Sequence, residues 1–107
     1  MNQMSRAEHR TRVIEVADFS VHPEEHAAFG RVLSQAVAEV LSNARGYQEH
    51  QILSCQETPG RYLLTVAWDT LEDHTVGFRE SPAFVKWRAL ISPFFASPPS
   101  VAHFDLV

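Results

Sequence analysis

An α+β fold of order β-α-β-β-α-β is what this 107-residue sequence predicts. Three observations lead there. Four short runs rich in β-branched and aromatic residues stand at 12–21, 46–57, 61–69 and 100–107. Stretches with apolar residues at helical spacing separate the first from the second and the third from the fourth. The second and third runs are parted only by Thr58-Pro59-Gly60, which has room for a hairpin and nothing more. Two helical crossovers and one hairpin on four antiparallel strands make a ferredoxin-like sheet with both helices on one face.

Residues 1–11 are polar and aperiodic, and are expected to be a disordered lead-in to one domain over 12–107. In RVIEVADFSV, 12–21, Val13, Ala17, Phe19 and Val21 share one face of a strand. Ile14 and Val16 share the other with Asp18 and Ser20. Glu15 and Asp18 are acids on opposite faces of this apolar run. A half-buried carboxylate there could orient a histidine, but a solvated, edge-facing acid is the expected state.

HPEEHAAFGRVLSQAVAEVLSNARG reads as a helix. Pro23 suits its first position, where no N–H is needed, and Glu24 and Glu25 complement its positive end. Phe29, Val32, Leu33, Ala36, Val37, Val40 and Leu41 form one apolar stripe, and Asn43 and Gly46 supply the stop. After the hairpin, Thr70 caps a second helical segment, with Asp73 three residues on. Pro82 then permits a fresh turn, on which Phe84, Trp87 and Ile91 recur at helical spacing. PFFASPP breaks that pattern, and SVAHFDLV, 100–107, is the closing strand. The sheet face away from the helices would stay partly apolar, so two copies are expected to pack sheet to sheet as a homodimer.

Composition narrows the function classes. Apolar residues make up 45% and charged residues 21%, as in ordinary soluble domains. A net charge of −4 with scattered Lys and Arg gives no reason to expect nucleic-acid binding. Nothing approaches the roughly 18 apolar residues of a membrane span, and no apolar leader core opens the chain, so a cytoplasmic protein is expected. Cys55 is the single cysteine. It suits a reducing compartment, and is expected to be a half-buried strand thiol rather than a nucleophile. His22 and His26 have a metal-compatible spacing, but no third ligand pattern completes a site, so no metal is expected. His50 and His103 sit in strand runs and could point into a pocket or into a dimer seam.

The strand RYLLTVAWD, the segment TLEDHTVGFRESPAFVKWRALISPFF and the closing SVAHFDLV together resemble the antibiotic biosynthesis monooxygenase domain. The most specific parts are W-x-T-x-E-x-H from Trp68 to His74 and F-R-x-S-x-x-F from Phe78 to Phe84. The resemblance spans about 12–107 and implies a dimeric α+β barrel. It also implies oxygenation of a small aromatic hydroxy compound or quinol by O₂, with no metal or flavin cofactor. A haem-degrading branch of similar proteins uses a first-strand Asn, a Trp ending the third strand and a His after S-x-x-F. Trp68 matches, but VADFS has no Asn and Arg88 stands where the ligating His would be, so haem breakdown is disfavoured.

Such chemistry needs an apolar slot, a proton acceptor and a partner for an oxyanion. Trp68, Phe78, Phe84 and Trp87 could build the slot, His74 could take the proton, and Arg79 or Arg88 could stabilise negative charge. His74 and Trp68 are therefore the expected catalytic residues, and Phe78, Arg79, Phe84, Trp87 and Arg88 the expected substrate-binding ones. The competing reading is a non-catalytic ligand-binding or stress-response dimer of the same fold.

Overall fold

The computed structural model describes residues 12–107. The polar lead-in expected over 1–11 lies outside them. Four strands, β1 (Val13–Val21), β2 (Tyr47–Ser54), β3 (Arg61–Trp68) and β4 (Phe95–Asp105), form one sheet in the order β2-β3-β1-β4. All three neighbour pairs are antiparallel. Helix α1 (His26–Glu39) joins β1 to β2, and helix α2 (Pro82–Ile91) leads back to β4. The order is the expected ferredoxin-like one.

Register sets the faces. Glu15, Ala17, Phe19 and Val21 of β1 point to the helices together with Tyr62, Leu64, Val66 and Trp68 of β3. On this face Phe29, Leu33 and Val37 of α1 are fully buried. The Phe29 ring packs edge-on against Phe19 at 5.6 Å and Tyr62 at 5.3 Å. The Tyr62 hydroxyl donates to the His26 carbonyl at 2.7 Å, tying the start of α1 to the sheet. The Nδ1 of His26 accepts the Gly60 N–H at 2.7 Å and its Nε2 lies 3.1 Å from the Ser54 hydroxyl. The ring whose spacing hinted at metal thus serves as a structural clip. Gly60 itself has φ +89°, and a Cβ there would collide with the Val21 carbonyl.

Several boundaries differ from the sequence expectation. Helix α1 ends at Glu39 and a 3₁₀ turn, Leu41–Asn43, follows before Gly46 reverses the chain at φ +84°. Thr70 does cap the next segment, its Oγ1 accepting the Asp73 N–H at 3.0 Å. That segment is wound as a π-helix, Asp73–Phe78, separate from α2. Cys55 lies in the hairpin just past β2, not in a strand.

The closing strand starts at Phe95, five residues before the expected 100, and so takes in Pro98 and Pro99. Two features make this possible: β4 is an edge strand, and its pairing with β1 shifts register between Asp18 and Val21. Proline is tolerated where no ladder N–H is required. On the outer sheet face Leu53 and Phe104 are exposed, while Ile14, Val16 and Leu63 are half-buried.

Candidate active site

The strand alternation that buries Ala17 and Phe19 also turns Glu15 inward, where it is 6% exposed. A carboxyl in that position requires a partner, and the end of β3 supplies one: the Trp68 indole N–H donates to Glu15 Oε1 at 2.9 Å. The π-helical segment brings His74 to the same place. Its ring stacks on the Trp68 indole with centroids 5.2 Å apart, and its Nε2 lies 3.4 Å from Glu15 Oε1. His103, opposite Glu15 in the β1–β4 register, completes the row with Nε2 at 2.8 Å from His74 Nδ1. Side chains from two strands, the π segment and the edge strand thus form a connected polar chain, Trp68–Glu15–His74–His103, inside an apolar layer.

Burial dominates the electrostatics. It pushes the Glu15 carboxyl up from 4.5 to about 7, against the lowering effects of the Trp68 hydrogen bond and the Arg79 charge. Burial also pushes His74 down from 6.5 to about 4, helped by Arg79 and His103. His103 is lowered for the same reasons, burial first and Arg79 second. At neutral pH His74 is therefore uncharged and Glu15 is poised between its two states. The contact between them is a polar contact, not an ion pair.

Beside this chain lies a cavity of about 300 Å³. Glu15 and His74 supply its polar wall. Phe78, Phe84 and Trp87 line its apolar side, Arg79 and Arg88 stand at its exposed rim, and Phe95, Pro98, Pro99 and Val101 of β4 close the far side. The Phe78 ring meets Phe84 edge-on at 5.6 Å and Trp87 at 6.2 Å. Trp68 is placed differently from the expected slot residue. Fully buried, it stands behind the wall, packed on His74 and bonded to Glu15.

Two contributions escaped the sequence reading. Glu15 was expected to be solvated, although its parity with Ala17 and Phe19 already placed it on the helix side. The other acid of β1, Asp18, is the one that meets solvent; it pairs with Arg61 at 2.8 Å on the outer face. The β4 wall was missed because its prolines read as a break.

Comparison with known proteins shows the kinship of the chain. The family model for antibiotic biosynthesis monooxygenases matches residues 12–90. The chain belongs to that family. A Bordetella bronchiseptica protein described by the same family name is 36% identical, with a TM-score of 0.85 over 92% of this chain and 99% of that one. A Caulobacter crescentus structure so described shares the fold at 21% identity and a TM-score of 0.76, covering 92% of each chain. The uncharacterised Bacillus subtilis protein YczJ is 45% identical over 68 residues, 64% of this chain and 72% of YczJ. The family match ends inside α2, yet the proline wall of β4 lines the same pocket and His103 of that strand contacts its His74. No helix among the described residues is long and apolar enough to cross a membrane. Also among them, no three His, Cys, Asp or Glu side chains come together as a metal site.

Proposed function

We propose that this family member is a monooxygenase that needs no metal or flavin and oxidises a small aromatic hydroxy compound or quinol with O₂. The observation that carries the reading is a mostly apolar cavity whose single polar wall is the buried pair Glu15 and His74. Without a cofactor, the substrate must supply the electrons, and a phenol does so readily only after losing its proton. The acid–base group built around His74 takes that proton, with Trp68 holding the carboxyl of Glu15 in place. Phe78, Phe84 and Trp87 hold the ring, and Arg79 and Arg88 balance the charge of the aryl oxide. For a hydroquinone, one O₂ yields one hydroxyquinone and one water, so one oxygen atom enters the product.

The active species is inferred to be a homodimer in the cytoplasm. Leu53 and Phe104 on the outer sheet face give the apolar area that a second copy would cover. A Phe104→Asp variant should then elute as a monomer in light-scattering chromatography.

Oxygen uptake with a panel of hydroquinones, naphthoquinols and anthrones tests the activity. We expect uptake above the uncatalysed rate, one ¹⁸O atom in the product, and a loss of roughly 100-fold or more in His74→Ala. No uptake with any of these by the chelator-treated wild type would leave a binding protein, not an enzyme.

A further inference from the structure

The acid–base group contains three ionisable side chains, and their geometry separates their roles. His74 Nδ1 is taken up by His103 at 2.8 Å, and its Nε2 faces Glu15 Oε1 at 3.4 Å. One face of its ring is covered by Trp68. Nδ1 is thereby engaged, and Nε2, which makes no hydrogen bond among the described residues, lies against the carboxyl. Glu15 differs. Its Oε1 accepts the Trp68 N–H and is the atom nearest His74, while its other oxygen has no hydrogen-bond partner among the described residues. The residue is more than nine-tenths buried and yet lines the cavity. A carboxylate has about four acceptor positions, and one donor leaves it under-satisfied.

The geometry points to Glu15 as the side chain that touches the ligand, accepting the proton of an aryl hydroxyl so that a planar hydroxyarene is held in the cavity as its oxyanion. This rests on the oxygenase reading above and names the atom at which that reaction starts. The aryl O–H bond breaks, its electron pair stays on the aryl oxygen, and the proton passes to the free oxygen of Glu15, which becomes a neutral carboxyl. The cavity's net charge does not change. One negative charge moves from Glu15 to the ligand, nearer the rim guanidinium groups of Arg79 and Arg88. When oxygen later leaves the substrate as water, the same carboxyl can return the proton.

The chemistry also defines what is refused. A ligand that presents a carboxylate inward would meet the Glu15 charge, and an ether would bring no proton to it. The groups facing Glu15 from every side are the Trp68 N–H of β3, His74 and Arg79 from the π segment and its end, and His103 of β4. Arg88 of α2 stands at the same rim. Of these, His74 and His103 act as positioning residues. His74 shares the cavity wall with the carboxyl and holds its orientation, and His103 holds the His74 ring from behind; the proton goes to Glu15. Because burial places the Glu15 carboxyl near the range of activated phenols, the transfer is close to balanced.

The probe is 4-nitrophenol, whose ionised form absorbs visible light, titrated into the full-length chain at neutral pH, where Glu15 is partly ionised and can accept its proton. The wild type should bind it with growth of the phenolate band. Glu15→Gln, similar in shape and checked for folding by its melting curve, should bind it with at least about tenfold less ionised ligand, one pKa unit or more. It should bind 4-nitroanisole, which has no hydroxyl, as well as the wild type does. His103→Gln should reduce the band less than Glu15→Gln.

Three results would overturn the assignment: no binding of 4-nitrophenol by the wild type, binding without ionisation, or equal ionisation in Glu15→Gln. The oxygenase reading fails separately. If the wild type ionises the probe but consumes no O₂ with any hydroxyarene, the Glu15 assignment stands and the activity falls. If O₂ uptake persists undiminished in Glu15→Gln, the assignment falls and the activity stands.

Discussion

The two halves of the inner sheet face carry similar strand residues and end differently. Under α1, Phe29, Leu33 and Val37 are excluded from solvent and meet Phe19 and Tyr62 ring to ring, so the layer is filled. Under α2, Trp87 and Ile91 are buried and Phe84 is half-buried, yet about 300 Å³ remains open beside Glu15 and His74. The difference lies in the covering helix. Helix α1 has 14 residues with apolar side chains on successive turns, whereas α2 has 10 and is reached through a π-helical segment that directs His74 and Phe78 inward instead. One half of a continuous apolar face serves stability, and the other accepts two buried ionisable groups and a hollow. Buried ionisable groups cost free energy, so their place beside a cavity points to function.

The largest test of this contrast is truncation on each side. Phe29→Ala should destabilise the protein by about 3–5 kcal/mol in chemical denaturation, because it opens a void in a filled layer. Trp87→Ala should cost clearly less than Phe29→Ala, since it widens a hollow already present, while weakening ligand binding. Equal losses would mean that the two halves are packed alike.

The second test is pH. With its carboxyl raised from 4.5 to about 7, folded Glu15 keeps a proton that the unfolded chain releases, so its contribution is full below 4.5 and lost as pH rises through 7. His74, lowered from 6.5 to about 4, runs the other way: its contribution is full above 6.5 and lost as pH falls through 4. Each swing is about 3 kcal/mol, and over pH 4.5–6.5 the two slopes oppose. Glu15→Gln should therefore gain stability with rising pH relative to wild type in that window, and His74→Gln should lose it. Parallel pH profiles for all three proteins would show that the two groups are not buried as described.

Smaller effects sharpen the same picture. Trp68→Phe keeps a ring on His74 but removes the N–H from Glu15 Oε1, which should cost about 1–3 kcal/mol. It should also move the Glu15 carboxyl above 7, visible by ¹³C NMR titration, because that hydrogen bond now holds it down. On the outward face of α2, Val85 is 71% exposed, and Val85→Lys should change stability by less than about 0.5 kcal/mol.

Much of this was legible in residue order. Parity along 13–21 assigns the strand faces, Tyr62 through Trp68 follows the same rule, and the stripe from Phe29 to Leu41 marks α1. The same parity already put Glu15 on the helix side, but the general preference of acids for solvent pointed the other way. Only the Trp68 N–H, 53 positions along the chain, makes that burial tolerable. The π winding of Asp73–Phe78 left no mark in the pattern, because a single inserted residue per turn keeps the apolar spacing nearly helical. Pro98 and Pro99 read as a break because proline removes a ladder donor, and only the position of β4 at the sheet edge lifts that objection.

By itself, then, the sequence determined the element order, the inner face of each central strand, the solid half under α1 and the residues Phe78, Phe84 and Trp87 that stand along one side of the cavity. These follow from local periodicity, which a linear pattern carries in full. Tertiary structure decided that Trp68 stands behind the wall, that Glu15 faces the hollow, and that His103 and the prolines of β4 belong to the same place. Those outcomes depend on pairing register and on hydrogen bonds between distant residues, which exist only once the strands have met.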